Sequence, residues 1–379
     1  MSDRRVENLA RVICEYSLQV KPGQLMLIQS PALAEPLVLE LVKSALRLGA
    51  NPRVLLEAEG TQVAYLSEAG DQQLSTLLPN LLPMWEAIDL RVTIHASWNT
   101  RELSGIDPAR MATVQRARAP LMETGMRRSA AGEMRWCVTA YPCEAFAQDA
   151  DMSLTGYEDF VYGAGWLGLD EPVAVWRAFA GKLREVVDRL AGVRELRVLG
   201  EDTDLTVGVA GRTWKPCAGD RNFPDGEVFT APLETETRGD VRFSFPAIYG
   251  GREVQDVRLR FEGGRVVRSE AAAGADLLRK MLEIDDGASI LGEFAIGTNY
   301  AIEQFTKQIL FDEKIGGTCH MAVGAGYPET GSTNRSGLHW DMVCDLRSGG
   351  EIHADGELIY RDGRFLPEFA PDLSPPGAE

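Results

Sequence analysis

The run "QLMLIQSPALAEPLVLELVKSALRLGANPRVLLEAEG", from Gln24 to Gly60, decides the fold of the first half of the chain. Residues 24–31 have the apolar pattern of a buried strand, and residues 51–60 have that of a second strand. Between them, residues 35–50 have the pattern of an amphipathic helix with a glycine near its end. Two strands joined through a helix form a βαβ unit with parallel strands. The run therefore predicts a parallel sheet covered by helices.

The same alternation continues downstream. Strand patterns occur in "AIDLRVTIHAS", residues 87–97, and in "MRWCVTAYP", residues 134–142, and a helical pattern lies between them at 108–128. Strands that alternate with helices are typical of a mostly parallel sheet. No glycine-rich loop of the dinucleotide or P-loop type opens any of these helices, so the pattern does not support nucleotide binding.

From about residue 195 the rhythm changes to short strands separated by turn residues, as in "EVQDVRLRFEGGRVVRSEA", where Gly263–Gly264 is typical of a tight turn. The chain has 379 residues, and single cores stop growing at roughly 250–300 residues. We therefore predict two domains: an α/β N-terminal domain with a mostly parallel sheet, residues 1–195, and an α+β C-terminal domain rich in antiparallel strands, residues 196–379.

The composition narrows the possible partners. The formal net charge is -17, whereas binding to nucleic acid or to an anionic membrane surface needs clustered Lys and Arg. With 45% hydrophobic and 25% charged residues the chain has the composition of a soluble globular protein. The first residues carry charges every few positions and no continuous apolar segment, so we expect neither a signal peptide nor a membrane helix. These features predict a cytoplasmic protein.

The six cysteines are scattered without the spacing of a zinc cluster or the density of a disulfide framework, so we expect buried, reduced thiols. Cys319 precedes His320, which raises the question of a thiol nucleophile. A thiol-protease dyad needs no neighbouring cluster of acids, and this chain supplies one. We therefore set the dyad aside.

Four histidines occur, and three of them lie in the last sixty or so residues. His95 and His353 are expected to be ordinary hydrogen-bonded or solvated imidazoles. In "SGLHWDMV", residues 336–343, His339 and Asp341 are separated by one residue in a strand-like run. Residues i and i+2 of a strand project from the same face, so this pair points at a common partner.

Two glutamates lie in apolar, strand-like segments: Glu227 in "PDGEVFTAP" and Glu293 in "LGEFAIGTN". Buried carboxylates are costly unless they are paired or bind a metal, although each could instead face solvent on an edge strand. Together with His320, His339 and Asp341 they form a set of oxygen and nitrogen ligands that suits zinc, cobalt or manganese. Such a set can hold two ions when one carboxylate bridges them. The residue pattern alone does not bring the five together.

Four segments, "RNFPDGEVFTAP", "ILGEFAIGTN", "FDEKIGGTCH" and "HMAVGAGYPETGSTNRSGLHWDMV", resemble in order and wording the leucyl aminopeptidase and aminopeptidase T family, peptidase family M29. The similarity spans nearly the whole chain. It implies a metal-dependent aminopeptidase that acts on peptides with a free N-terminus, a homodimer, and two divalent ions in the C-terminal domain. It also implies ligand roles for Glu227, Glu293, His320, His339 and Asp341, with Glu293 as the bridge.

Two further positions follow from the resemblance. Tyr327 matches a tyrosine that contacts the reacting carbonyl, and its alternative is an aromatic side chain that fills the wall of the site. Glu313 matches an additional acidic ligand, but its spacing to His320 is longer than in some members, with Gly316–Gly317 inserted, so a surface loop position is the alternative. Proton transfer from water to the leaving amine could fall to Glu293 or Glu313.

Two other functions stay open at this stage. Relatives on the same scaffold bind one iron and cleave aromatic rings, so the fold alone does not determine the reaction. The presence of both Glu227 and Glu293 favours two ions and hydrolysis, whereas a set of two histidines and one carboxylate would favour iron. The third possibility is a metal-free binding homologue, which the presence of every expected ligand disfavours.

Overall fold

A computed structural model describes residues 3–375 of the chain. The chain divides into two compact units. The first unit consists of Met1–Val173 and Gly219–Pro224, and the second consists of Ala174–Ala218 and Asp225–Glu379. Within residues 3–375, no helix is both long enough and apolar enough to cross a membrane.

Helices and strands are numbered here in chain order. The helices are α1 (Arg4–Val12), α2 (Glu35–Arg47), α3 (Thr61–Glu68), α4 (Asp71–Leu74), α5 (Leu81–Ala87), α6 (Pro108–Ala130), α7 (Glu144–Asp149), α8 (Leu154–Ala164), α9 (Pro172–Leu190), α10 (Ala275–Leu282) and α11 (Ile309–Asp312). A π-helical turn follows α1 at Ile13–Ser17, and short 3-10 turns lie at Ala32–Ala34 and Pro328–Thr330.

The strands are β1 (Leu25–Pro31), β2 (Asn51–Glu57), β3 (Leu90–His95), β4 (Arg135–Ala140), β5 (Glu195–Gly200), β6 (Thr203–Gly208), β7 (Lys215–Cys217), β8 (Asn222–Phe223), β9 (Glu227–Thr230), β10 (Arg238–Phe243), β11 (Ala247–Tyr249), β12 (Arg252–Val254), β13 (Val257–Glu262), β14 (Arg265–Glu270), β15 (Leu291–Gly297), β16 (Thr318–Gly324), β17 (His339–Asp345), β18 (Glu351–Ala354), β19 (Glu357–Arg361) and β20 (Arg364–Phe365).

The first unit contains a five-stranded sheet in the order β2-β1-β3-β4-β8, and all of its strand pairs are parallel. The βαβ unit predicted from residues 24–60 is present as β1, α2 and β2. Helix α2 begins with a proline in its first turn and is followed by Gly49, whose φ of +82° suits glycine. The predicted α/β fold of the N-terminal part is confirmed.

The second unit contains antiparallel sheets. One has eight strands in the order β14-β13-β10-β6-β5-β18-β19-β20, one has five in the order β17-β16-β15-β9-β7, and β11 pairs with β12. Gly263 and Gly264 connect β13 to β14 with positive φ angles, as predicted for a tight turn. The α+β character of the C-terminal part, rich in antiparallel strands, is confirmed.

The division between the two units falls in the first turn of helix α9, between Val173 and Ala174, whereas the predicted boundary at residue 195 falls after the helix. From Ala174 onward the helix belongs to the second unit. Two basic side chains of α9 donate to backbone carbonyl oxygens far along the chain. Nζ of Lys182 lies 2.5 Å from the carbonyl oxygen of Asp372, and Nη1 of Arg189 lies 3.3 Å from that of Glu368. These contacts join residues far apart in sequence, so composition along the chain does not reveal them.

Candidate metal centre

Strands β15, β16 and β17 bring three of the predicted ligands to one face of the five-stranded sheet. Glu293 on β15 and Asp341 on β17 both lie opposite Ala322 of β16, and His339 lies opposite Gly324. Residues directly opposite each other in an antiparallel pair share a face, and so do residues two apart on one strand. The side chains of Glu293, His339 and Asp341 therefore project together from the sheet face on which Ala322 and Gly324 lie.

Strand β9 and the first half of β16 add the other two ligands to the same face. Glu227 lies opposite Gly297, and His320 lies opposite Ala295. Ala295 and Gly297 are two and four residues beyond Glu293 on β15, so all three share a face. The register thus brings together all five residues that the sequence predicts as ligands.

Three of the five residues, two acids and one histidine, are buried. Glu227 and Glu293 are 5% and 4% exposed, and His320 is 1% exposed. Strand β9 is paired on both sides, with β15 and with β7. The alternative of two solvent-facing glutamates on an edge strand is therefore wrong. Burying several carboxylates together is costly unless cations accompany them.

His339, Glu293 and Asp341 form a first trio of ligand atoms. The Nε2 atom of His339 lies 3.5 Å from Oε2 of Glu293 and 3.5 Å from Oδ1 of Asp341. Zinc bonds of about 2.0–2.15 Å in a tetrahedral site place neighbouring ligand atoms about 3.3–3.5 Å apart. The spacing of this trio therefore fits a divalent ion.

His320, Glu227 and Glu293 form a second trio with the same spacing. The Nε2 atom of His320 lies 3.5 Å from Oε2 of Glu227 and 3.5 Å from Oε1 of Glu293. Glu293 thus directs one carboxylate oxygen to each trio. Glu313 also lies close enough to Glu227 and His320 to share an ion with them. This is the arrangement that a bridging carboxylate needs.

The hydrogen-bonding state of the side chains in the two trios supports a role as metal ligands. Nδ1 of His339 lies 2.7 Å from the carbonyl oxygen of Ala325, to which it donates, so Nε2 is the nitrogen that faces the trio and that would bind an ion once deprotonated. Oε2 of Glu227, Oδ1 of Asp341 and both ring nitrogens of His320 are buried without a hydrogen bond to any residue in 3–375. Buried polar atoms are nearly always satisfied, so these atoms fit metal ligands.

The structure adds a basic residue that the sequence reasoning missed. The side chain of Lys314 is fully buried, and its Nζ lies 3.2 Å from Oε1 of Glu227 and 3.7 Å from Oδ1 of Asp225, and also contacts Oε1 of Glu313. Glu313 is therefore not a surface loop residue: its side chain is only 16% exposed and faces the ammonium. The available signal was a lone lysine in the apolar segment "EKIGGTCH".

The pKa values of the side chains in the centre are shifted because several charged groups lie close together there. Burial lowers the pKa of His320 and of His339, but the neighbouring carboxylates outweigh it and raise the pKa of His320 to about 9 and that of His339 to about 10. Burial raises the pKa of Glu313 to about 7, against the opposing effect of Lys314. Burial also disfavours the charged form of Lys314, yet Glu227 and Glu313 hold its pKa well above the ordinary value. Both imidazoles therefore bind protons that a metal ion must displace.

Tyr327 lies at the edge of the centre. Its ring packs edge-on against His339 with ring centres 5.3 Å apart, and against Phe229 with 5.5 Å. The side chain is partly exposed. Partial burial and the charges of Glu293 and Asp341 raise the pKa of its phenol, so the hydroxyl keeps its proton and can donate a hydrogen bond.

The remaining candidates lie elsewhere. His353 pairs with Glu351 at 2.9 Å, as an ordinary imidazole does, and His95 is exposed at the end of β3. Cys319 lies opposite Cys344 across β16 and β17, and alternation places it on the face away from His320. Cys319 therefore does not form a dyad with His320.

Comparison with known proteins identifies the family. Residues 2–365 match the family model of the thermophilic metalloproteases (M29). The chain is 27% identical to Aminopeptidase 2 of Geobacillus stearothermophilus, with 97% of this chain and 99% of that protein covered. It is 28% identical to Aminopeptidase T of Thermus thermophilus, with 96% and 97% covered.

Two solved structures share the fold. Wild-type AmpT from Thermus thermophilus superposes with a TM-score of 0.85 at 25% identity, over 96% of this chain and 99% of that one. The 2,5-dihydroxypyridine dioxygenase from Pseudomonas putida KT2440 superposes with a TM-score of 0.59 at 14% identity, over 95% and 96%, which shows a shared fold alone. The match over residues 2–365, on a chain whose buried carboxylates and imidazoles are spaced as metal ligands, shows that this protein belongs to the M29 family of thermophilic metalloproteases.

Proposed function

We propose that the protein is a metal-dependent aminopeptidase that removes N-terminal residues from peptides. The observation that carries the proposal is the position of Glu293, whose two carboxylate oxygens face two separate imidazoles at 3.5 Å each. The family is one of metallopeptidases, and the relatives named above are aminopeptidases. A bridged pair of cations suits hydrolysis of a peptide bond next to a free amine, because cations can hold both the amine and the scissile carbonyl.

The proposed cofactor is a pair of divalent ions, with zinc, cobalt or manganese as candidates. Glu293, His339 and Asp341 would hold one ion, and Glu227 and His320 would hold the other together with the second oxygen of Glu293. Bound ions would provide a nucleophile from water at neutral pH and would polarise the substrate carbonyl. Mixed carboxylate and imidazole ligands are compatible with all three metals.

The proton transfers are assigned to Glu313. Both oxygens of Glu293 face imidazoles, so its role is that of a bridge. Glu313 lies beside Glu227 and His320, where its carboxylate can accept a proton from water and return it to a leaving amine. Lys314 contacts one of its oxygens, which orients the carboxylate.

Tyr327 would donate a hydrogen bond to the oxygen that becomes negative during attack. Its hydroxyl stays protonated, and its ring is held against His339 by edge-on packing. A donor placed where charge develops lowers the barrier more than it strengthens substrate binding. If Tyr327 only packs against the wall of the site, Tyr327→Phe keeps the ring and changes neither kcat nor KM.

The two other functions are not favoured. Ring cleavage has its counterpart in a structure that shares the fold at 14% identity, whereas the family match and the relatives with 27% and 28% identity point to peptide hydrolysis. A metal-free binding homologue would not need five carboxylate and imidazole side chains on one face, three of them buried. A two-histidine, one-carboxylate iron site also leaves Glu227 without a purpose.

The homodimer and the cytoplasmic location stay predictions. The family resemblance suggests subunits that enclose the active sites, which would restrict the substrates to small peptides. Light scattering coupled to gel filtration tests the dimer, and fractionation of the source cells tests the location. A dimer would also predict that long, folded proteins are poor substrates.

The proposed function is tested by release of leucine from leucyl amide. We expect turnover that is lost on treatment with a chelator and restored by zinc, cobalt or manganese. His339→Ala should lose at least about 1,000-fold in kcat/KM, because a ligand is removed. His353→Ala is the matched control and should retain full activity. Chelator-insensitive turnover, or a folded and metal-loaded His339→Ala variant with normal turnover, would contradict the proposal.

A further inference from the structure

Lys314 is a buried cation inside the metal centre. Its side chain has no exposure, and its ammonium forms ion pairs within 4.0 Å with Asp225, Glu227 and Glu313. A buried ammonium is stable only when acids surround it, and these three carboxylates provide that environment. The positive charge of Lys314 is therefore a permanent part of the centre.

The backbone around Lys314 is also held in place. Its amide donates to the carbonyl of Phe311 at 2.9 Å, and its carbonyl accepts from the amide of Asn299 at 3.0 Å. The side-chain amide of Asn299 in turn donates to the carbonyl of Asp225 at 2.8 Å. The buried Asn299 thus connects the backbone of Lys314 to that of Asp225, one of the acids that the ammonium contacts.

The ammonium affects the two trios unequally. It lies 3.2 Å from Oε1 of Glu227, whose other oxygen belongs to the second trio with His320. Across residues 3–375 it makes no ion pair with Glu293 or Asp341, the acids of the first trio. A fixed unit charge this close both repels an incoming cation and withdraws negative charge from the carboxylate that would bind it.

We propose that Lys314 makes the two metal positions unequal, so that one divalent ion binds tightly at Glu293, His339 and Asp341 while the position at Glu227 and His320 binds its ion weakly. The inference rests on the proposed function in that it assumes a metal centre. Under this arrangement the ammonium supplies part of the positive charge that a second tightly held ion would otherwise provide. The protein then retains one ion through purification and gains the second only when free metal is abundant.

The wild-type protein tests this without any substitution. Metal-free protein is titrated with zinc in a calorimeter, and metal content is measured by mass spectrometry after desalting. We expect two binding events whose affinities differ at least about 100-fold, and one retained ion per chain. Two events of equal affinity, or two ions retained, would overturn the inference while leaving the proposed function intact. Absence of zinc binding would overturn both.

Neutralising the ammonium identifies its role. Lys314→Met has similar length without charge, and we expect it to tighten the weak event at least about tenfold. If Lys314 served only to orient Glu227, the substitution would weaken that event, which is the opposite sign and would overturn the inference. Lys307→Met is the matched control, because Lys307 pairs with Glu253 at 3.1 Å outside the centre, and it should change neither event.

A second variant covers the case in which Lys314→Met fails to fold. Lys314→Met combined with Asp225→Asn removes one of the acids paired with Lys314 together with the base, so the net buried charge is unchanged and every proposed metal ligand is kept. It should also tighten the weak event, and an unchanged or weaker second event in the folded double variant would overturn the inference. Glu227→Gln should remove the weak event and Asp341→Asn the tight one, and the reverse assignment would contradict the proposed order.

Discussion

The pH dependence of metal affinity follows directly from the proton held by His339. Its carboxylate neighbours raise the pKa of the imidazole to about 10, while Asp341 itself has a lowered pKa and stays ionised. A metal ion binds only the deprotonated nitrogen, so below pH 10 each ion that binds releases a proton from His339. The apparent affinity of the tight position should therefore rise about tenfold for each pH unit between 6.5 and 9.

The magnitude can be stated at a working pH. At pH 8, two units below the pKa of about 10, proton competition should weaken the tight position about 100-fold relative to its limit at high pH. The assay is competition with a chromophoric chelator whose own protonation is calibrated at each pH. His353→Ala should show the same slope as wild type, since His353 pairs with Glu351 outside the centre. An affinity that does not change from pH 6.5 to 9 would refute this account of His339.

Three further predictions concern catalysis and stability. Tyr327→Phe should lower kcat about 100-fold with little change in KM in steady-state kinetics with leucyl amide, because a hydrogen-bond donor to the developing oxyanion is lost. Since phenylalanine keeps the ring, unchanged kcat and KM would show that Tyr327 only packs. Glu313→Gln should lower kcat at least about 100-fold in steady-state kinetics, because the amide cannot accept a proton from water. An unchanged kcat in the folded, metal-loaded variant would assign the proton transfer to another residue. The free energy of unfolding of the metal-free protein should fall as pH rises from about 6.5 to 9 for His320 and to 10 for His339, by about 1.4 kcal/mol per pH unit for each imidazole. The reason is that a pKa raised in the folded state stabilises the fold at low pH. Urea denaturation that shows constant stability from pH 6.5 to 10 would contradict the prediction.

Much of the fold could be predicted because the relevant signals are local. The apolar runs and amphipathic spacing between residues 24 and 60 specify strands and a helix through side-chain periods of 2 and 3.6 residues. Gly263–Gly264 specifies a turn through its positive φ angles. The division between the units could not be predicted in the same way, since α9 is held by carbonyls at residues 368 and 372, far along the chain.

The site was predicted in part for the same reason. The spacing of His339 and Asp341 places both on one strand face, and no other element is needed for that inference. The sequence predicted two alternatives for Glu313, a metal ligand or a surface loop residue. It could not decide between them because the environment of Glu313 depends on Lys314 and on the burial of α11. Lys314 itself was overlooked, since a lone lysine in an apolar segment carries no periodic signal.

The sequence by itself determined the order of helices and strands and the position of His339 and Asp341 on one strand face. It also contained the motifs that resemble a family of metallopeptidases. Only the tertiary structure decided that Glu227, Glu293 and His320 join that pair, and that a buried ammonium accompanies them. The reason is the register between β9, β15, β16 and β17: a slip of one residue would turn each ligand to the opposite face. Register depends on contacts between strands that lie far apart in the chain, so no single segment specifies it.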